Sequence, residues 1–150
     1  MLLPLAIASC GGDEKDEPET TANDPEGTTL VYLHHGDYVE LARDTHHADE
    51  NGYGYDISMG ISVNKSNNFV SDTGDKIVSV GKVKNISEIK SIPNSGWVSE
   101  TAIVPGNGYV FMGSYVNTYY ARIYVVDFIT STDGGIIGAT IKYQKNWYHQ

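Results

Sequence analysis

The sequence predicts an all-β protein, a single antiparallel β-sandwich or barrel-like domain of about eight strands over residues 28–150. Three observations predict it: apolar residues recur with period two rather than 3.6, turn-forming residues separate the runs, and the only helix-like stretch is very short. In Ile57-Ser58-Met59-Gly60-Ile61-Ser62-Val63 large apolar residues alternate with small and polar ones, as in a strand with one buried face.

Taken in order, strands are expected at 28–35, 38–43, 57–63, 76–84, 101–104, 108–114, 119–130 and 136–144. The segment 119–130, YYARIYVVDFIT, is β-branched and aromatic on both faces, which suits a central strand. Residues 136–144 place Ile137, Ala139, Ile141 and Tyr143 on one face. Turn chemistry falls at Asn51-Gly52, Thr73-Gly74-Asp75, Pro93-Asn94-Ser95-Gly96, Pro105-Gly106-Asn107-Gly108 and Asp133-Gly134-Gly135. The last lies between two strong strands and predicts a hairpin. Ile86, Ile89 and Ile92 recur every third residue and Pro93 stops the run, which predicts a single turn or a short helix over 86–92.

The chain has 150 residues and 40% apolar residues, enough for one packed domain. Its net charge of −9 is uneven: residues 13–27 hold seven acids and one base, leaving 12 acidic against 9 basic residues in the rest of the chain. The folded part has no basic patch with which to neutralise a phosphate backbone, so no nucleic-acid partner is expected.

Cys10 is the only cysteine. It follows the apolar run Leu2-Leu3-Pro4-Leu5-Ala6-Ile7-Ala8 and precedes an acidic segment free of aromatics. Residues Leu5-Ala6-Ile7-Ala8-Ser9 resemble the lipobox cut by the lipoprotein signal peptidase. That resemblance makes 1–9 a signal-peptide remnant and Cys10 the lipidated residue, with a membrane as partner through its acyl chains. The run lacks a basic start, so Met1 reads as an internal start or a clipped gene end. With one cysteine the domain has no internal disulfide, and lipidation would consume its thiol.

Residues 10–27 then form the lipidated Cys and a flexible tether. Extended, residues 11–27 would reach at most about 60 Å; as a coil they would span roughly 20–25 Å. An acidic run directly after a lipidated Cys also resembles the export signal of Bacteroidetes lipoproteins. It implies an outer-membrane, lipid-anchored protein at the cell surface; a spacer on the periplasmic face is the alternative. The phrases Asn23-Asp24-Pro25-Glu26-Gly27-Thr28, Asn67-Asn68-Phe69, Ile92-Pro93-Asn94-Ser95-Gly96-Trp97, Pro105-Gly106-Asn107-Gly108-Tyr109-Val110, Tyr120-Ala121-Arg122-Ile123-Tyr124-Val125 and Gly135-Ile136-Ile137-Gly138-Ala139-Thr140 look like those of small lipoproteins from gut Bacteroidetes. This resemblance spans 23–144 and implies an address and an all-β fold, but no chemistry.

Several constellations could carry chemistry. Asp44, His46, His47, Asp49 and Glu50 are suitable zinc ligands, with His46, His47 and Asp49 the closest set. Adjacent histidines on an extended chain point to opposite sides, so a solvated polar loop is the alternative. Asp49-Glu50-Asn51-Gly52-Tyr53-Gly54 has oxygen ligands at the first and third positions and Gly at the sixth, but Gly60 at the twelfth where a calcium loop needs Glu. Ser62-Val63-Asn64-Lys65 has the letters of a Ser-x-x-Lys nucleophile without its companion motifs. No phosphate loop is present, and no cofactor is expected. Asp127 sits among apolar residues, either as a buried acid or as a partner of Arg122 or a loop cap.

Eleven tyrosines and two tryptophans are many for a small core. Tyr53, Tyr55, Tyr115, Tyr119 and Trp147 fall near turns and strand ends, where aromatic faces suit sugar rings or protein partners; strand packing is the alternative. Three readings follow: a non-catalytic, surface-anchored module that binds glycan or an envelope protein, a carboxylate- or metal-dependent hydrolase at the 44–56 loop, and a structural subunit of an envelope complex. The first is preferred, since no nucleophile motif is present.

Overall fold

A computed structural model describes residues 23–47, 54–72 and 74–147. It is a two-sheet sandwich without a closed barrel. Nine strands run β1 Thr28–His34, β2 Tyr38–His47, β3 Gly54–Val63, β4 Asn68–Ser71, β5 Lys76–Lys82, β6 Glu100–Ala102, β7 Asn107–Ser114, β8 Thr118–Thr130 and β9 Ile136–Gln144. One sheet has the order β1-β9-β8-β7-β5 and the other β2-β3-β4-β6; every named pair is antiparallel.

The alternation read from the sequence is the reason the sheets face each other. Leu41, Ile61, Val63 and Phe69 of the four-stranded sheet meet Ile77, Tyr109, Phe111, Ile123 and Ile141 of the five-stranded one, all at most 1% exposed. Phe69 and Tyr109 meet edge to face at 5.2 Å. The Tyr109 hydroxyl donates to the Ala102 carbonyl (2.7 Å) and accepts from Val104 N–H (3.0 Å), so the buried phenol is satisfied and ties β7 to the end of β6.

The strand count exceeds the expected eight by β4, whose four residues were not among the expected strands. The hairpin of β2 and β3 is also longer than expected: residues 44–47 and 54–56, read as loop for their polarity, are paired strand, with Asp44 opposite Ile57 and His46 opposite Tyr55. The turn at 86–92 is a 3₁₀ turn at Ile86–Glu88, capped by Asn85, whose side chain accepts from Ser87 N–H at 3.0 Å. The expected hairpin at Asp133-Gly134-Gly135 is present. Gly134 has φ of 88°, and Ser131 N–H bonds the Gly135 carbonyl at 2.8 Å.

The five-stranded sheet is covered on its outer face as well. Val78 and Val110 pack there against Ile86, Ile89 and Trp147, with Ile92, Trp97, Tyr120 and Tyr124 around them. Arg122 is 8% exposed within this layer. Its guanidinium donates to Gln144 Oε1 (2.7 Å) and the Ile89 carbonyl (2.9 Å) and lies 5.3 Å from the Trp147 ring centroid. Asp24 and Glu26, placed by the sequence in the tether, are docked on β9. Asp24 pairs with Lys142 at 2.8 Å, and Gln144 Nε2 bonds the Glu26 carbonyl at 2.9 Å.

Asp127 is exposed rather than buried. A register shift between Val125 and Asp127 interrupts the alternation and turns the carboxylate outward, where it accepts from Phe128 N–H at 2.8 Å. Arg122 is not its partner.

Candidate functional site

The sequence candidates do not assemble into one surface. Asp49 and Tyr53 lie outside the described residues, as do the side chains of His46, His47 and Tyr55, whose main chain lies in β2 and β3. Among the described residues no three His, Cys, Asp or Glu side chains come together as a metal-binding group. Trp147 is 9% exposed and belongs to the covered layer. Tyr119 is half-buried and its hydroxyl donates to Asp44 Oδ1 at 3.2 Å. Of the proposed aromatic set Tyr115 alone is seen to be exposed, at 47%.

Asp44, grouped by the sequence with metal ligands, is a tie between the sheets. It is 2% exposed. Its Oδ2 accepts from Val116 N–H (3.1 Å) and Asn117 N–H (2.8 Å), and its Oδ1 accepts from the Asn117 amide (3.3 Å) as well as Tyr119. These donors, led by Asn117 N–H, hold the carboxyl below its ordinary value of 3.8 despite burial.

The outer face of the four-stranded sheet has a different character. Inward Val39, Met59, Ile61 and Phe69 leave Glu40, Ser58, Ser62, Val70 and Glu100 facing outward, and Tyr38, Ser62, Val70 and Glu100 stand in register across four strands. Tyr38 is 44% exposed. The phenol end of its ring lies over Gly60, where a Cβ would stand 3.0 Å from Tyr38 Cζ and Oη. Its hydroxyl meets Ser58 Oγ at 3.1 Å, with the Asp72 carboxylate nearby. Burial of the ring, followed by the Asp72 contact, pushes the phenol up to about 12, so it is a neutral hydroxyl at any physiological pH.

Around this ring the polar groups are held in order. Ser58 Oγ donates to Glu40 Oε2 (2.8 Å), Arg43 pairs with Glu40 (2.9 Å) and Asp56 (3.5 Å), and Lys145 stands 3.6 Å from Glu40. Arg43 chiefly brings the Glu40 carboxyl down to about 2. Toward β6, Asn64 and Asn68 both donate to Glu100 Oε1, at 2.7 and 2.8 Å. Two of the four carboxylates here, Glu40 and Asp56, thus meet the cations Arg43 and Lys145, while Glu100 is held by amides. No sequence motif marks this face, because Tyr38 and Gly60 meet only through strand pairing.

Asp75, beside this face, is 2% exposed, and its Oδ2 is buried without a hydrogen-bond partner. Burial, together with the nearby Asp72 charge, pushes its carboxyl from 3.8 up to about 6, against hydrogen bonds from the Ser114 and Gly60 main chain. The folded state therefore binds this proton more tightly than the unfolded chain. Its stabilising contribution is present below pH 4 and is lost as pH rises through about 6. Asp75→Asn is expected to gain on the order of 2 kcal/mol at neutral pH and nothing below about pH 4. Urea titrations at the two pH values check this; an equal effect at both contradicts it.

Fold and face together define an all-β sandwich in which the described residues cover the outer face of the five-stranded sheet and leave that of the four-stranded sheet open. Residues 47–149 match the family described as Domain of unknown function (DUF5036), and the chain belongs to that family. The match takes in β3–β9, while Tyr38, Glu40 and Arg43 precede it. The chain matches no curated protein and no solved structure.

Proposed function

We propose that this chain is a lipid-anchored lipoprotein of the bacterial outer membrane, displayed at the cell surface, whose sandwich is a non-catalytic binding module for a saccharide. The observation that carries the binding reading is the contrast between the two outer faces. One is sealed by Trp147, Ile86 and Ile89, and the other presents Tyr38 on a pre-ordered polar field.

An aromatic ring held at its phenol end on a sheet and partly exposed can meet the C–H edge of a sugar ring, and carboxylates and amides held in place accept and donate to its hydroxyls without further ordering cost. The excess of carboxylates disfavours anionic glycans and favours neutral or amino sugars. Lipid anchoring is supported by Leu5-Ala6-Ile7-Ala8-Ser9 before Cys10 and by the acidic segment after it.

Two experiments test the parts separately. Cys10→Ser is expected to move the protein from the membrane to the soluble fraction; unchanged membrane retention sinks the anchor. The Cys10→Ser chain is expected to retain neutral or amino glycans from a broad panel. If it retains an envelope protein and no glycan, the module belongs to an envelope assembly instead.

A further inference from the structure

We propose that β1 is a docking edge at which two copies of this chain pair, strand against strand and antiparallel, to form a symmetric dimer. The inference stands independently of saccharide binding and of the lipid anchor, since it rests on how the four sheet edges differ.

The five-stranded sheet ends in β1 and β5, and the four-stranded sheet ends in β2 and β6. A sheet edge is a template for further pairing, and proteins that stay apart blunt it with charges, bulges, short strands or a cover. Three of these edges carry such devices. β2 has a register shift between Glu40 and Ala42 and bears the Glu40–Arg43 ion pair. β5 has a shift between Ser79 and Gly81 and a lysine at each end, and its Ile77 exchanges two main-chain bonds with Val98, at 2.8 and 2.9 Å. β6 has only three residues, the first of them Glu100. β1 has none of these devices. Its seven residues, Thr28-Thr29-Leu30-Val31-Tyr32-Leu33-His34, keep unbroken register with β9 and include no Asp, Glu, Lys, Arg or Pro. Among the described residues β9 is its one neighbouring strand.

The hydrogen-bond phase of β1 fits a second copy. His35 N–H bonds the Ile137 carbonyl at 2.8 Å. Through the unbroken register, that phase turns the main-chain groups of Thr29, Val31 and Leu33 toward β9 and those of Leu30 and Tyr32 off the sheet. Turns close the edge at both ends. Thr28 N–H bonds the Pro25 carbonyl at 3.1 Å, and Asp37 takes both the His34 N–H (2.8 Å, by its carboxylate) and the His34 carbonyl (2.9 Å, by its N–H). The edge between them is short and centred on Val31. A two-fold axis at Val31 sets Leu30 of each copy opposite Tyr32 of the other, as hydrogen-bonded pairs in the correct phase. Aliphatic then meets aromatic across the axis, and no like charges face each other. A longer extended peptide would meet the turns at Pro25 and Asp37, whereas a second β1 ends where the first does. Pairing would join the two five-stranded sheets into one continuous sheet.

The test uses the full chain carrying Cys10→Ser, which removes disulfide-linked dimers. Sedimentation velocity is expected to show monomer at about 5 µM and mostly dimer at about 500 µM, the range suited to a small interface. Amide exchange at Leu30 is expected to slow about fivefold over the same range. Tyr32→Lys and Leu30→Lys each set a charge on both sides of the two-fold axis and are expected to stay folded and monomeric throughout. Tyr115→Lys, at another exposed aromatic, is expected to dimerise like the parent. A parent chain that stays monomeric at the highest concentration overturns the proposal. So does a dimer that survives both edge lysines, because its interface then lies elsewhere. Slow Leu30 exchange already in the monomer also overturns it, because a segment of the same chain then covers the edge.

Discussion

Gly60→Ala is expected to cost the domain about 3 kcal/mol or more and to lower its urea midpoint steeply. A Cβ at position 60 would stand 2.0 Å from the Val39 carbonyl oxygen, a main-chain atom that cannot rotate away. The close approach comes from β2, whose register against β3 shifts between Glu40 and Ala42. Relief would require moving β2, and with it Val39 and Leu41, which are 7% and 0% exposed. The same Cβ would lift the Tyr38 ring, so the variant should also show altered tyrosine fluorescence before unfolding. A midpoint unchanged from that of the parent chain would mean that β2 does not lie on β3 as described.

Asp44→Ala is the second large effect, with a fall of roughly 10 °C in the unfolding midpoint at neutral pH. The substitution removes the one carboxylate to which Val116 N–H, Asn117 N–H and the Tyr119 hydroxyl all donate. Asp44→Asn keeps one acceptor oxygen and should lose about half as much. The pH dependence gives an independent check. Because the folded-state pKa lies below 3.8, the contribution is present above pH 4 and is lost as pH falls through the folded-state value. Acid should therefore narrow the gap between the parent chain and Asp44→Ala, and a gap that widens in acid contradicts the assignment.

The two carboxylates show what a sequence of this kind can disclose. Asp44 and Asp75 are both buried acids on or beside strands, yet one is fully supplied with donors and the other has an orphaned oxygen. That difference depends on Val116, Asn117 and Ser114, residues far away in the chain, and no local pattern encodes it. The strands themselves were legible wherever alternation ran for seven residues or more, as at 57–63 and 136–144. The apolar character of 119–130 on both faces also foretold burial on both sides, which the Trp147 layer provides.

Of the two shortest strands, β6 overlaps the expected 101–104 and β4 was not legible, and the polar end of the β2–β3 hairpin looks like loop. The aromatic candidates were chosen by nearness to turns. Burial then divided them: Trp147 completes a core, Tyr119 serves Asp44 and Tyr115 stays outside. Tyr38, the ring that lies on the open face, has no distinguishing neighbour in the sequence. Its platform is Gly60, a partner brought to it by strand pairing.

The most direct test of the open face as the working surface is affinity electrophoresis of Tyr38→Ala beside Tyr115→Ala, using a glycan retained by the Cys10→Ser chain. The account predicts that Tyr38→Ala loses retardation by at least about tenfold, the size expected for one stacked aromatic, with little change in thermal midpoint. Tyr115→Ala should be retarded like the parent. Full retardation of Tyr38→Ala together with loss in Tyr115→Ala would contradict the account and move the site to the β7–β8 turn.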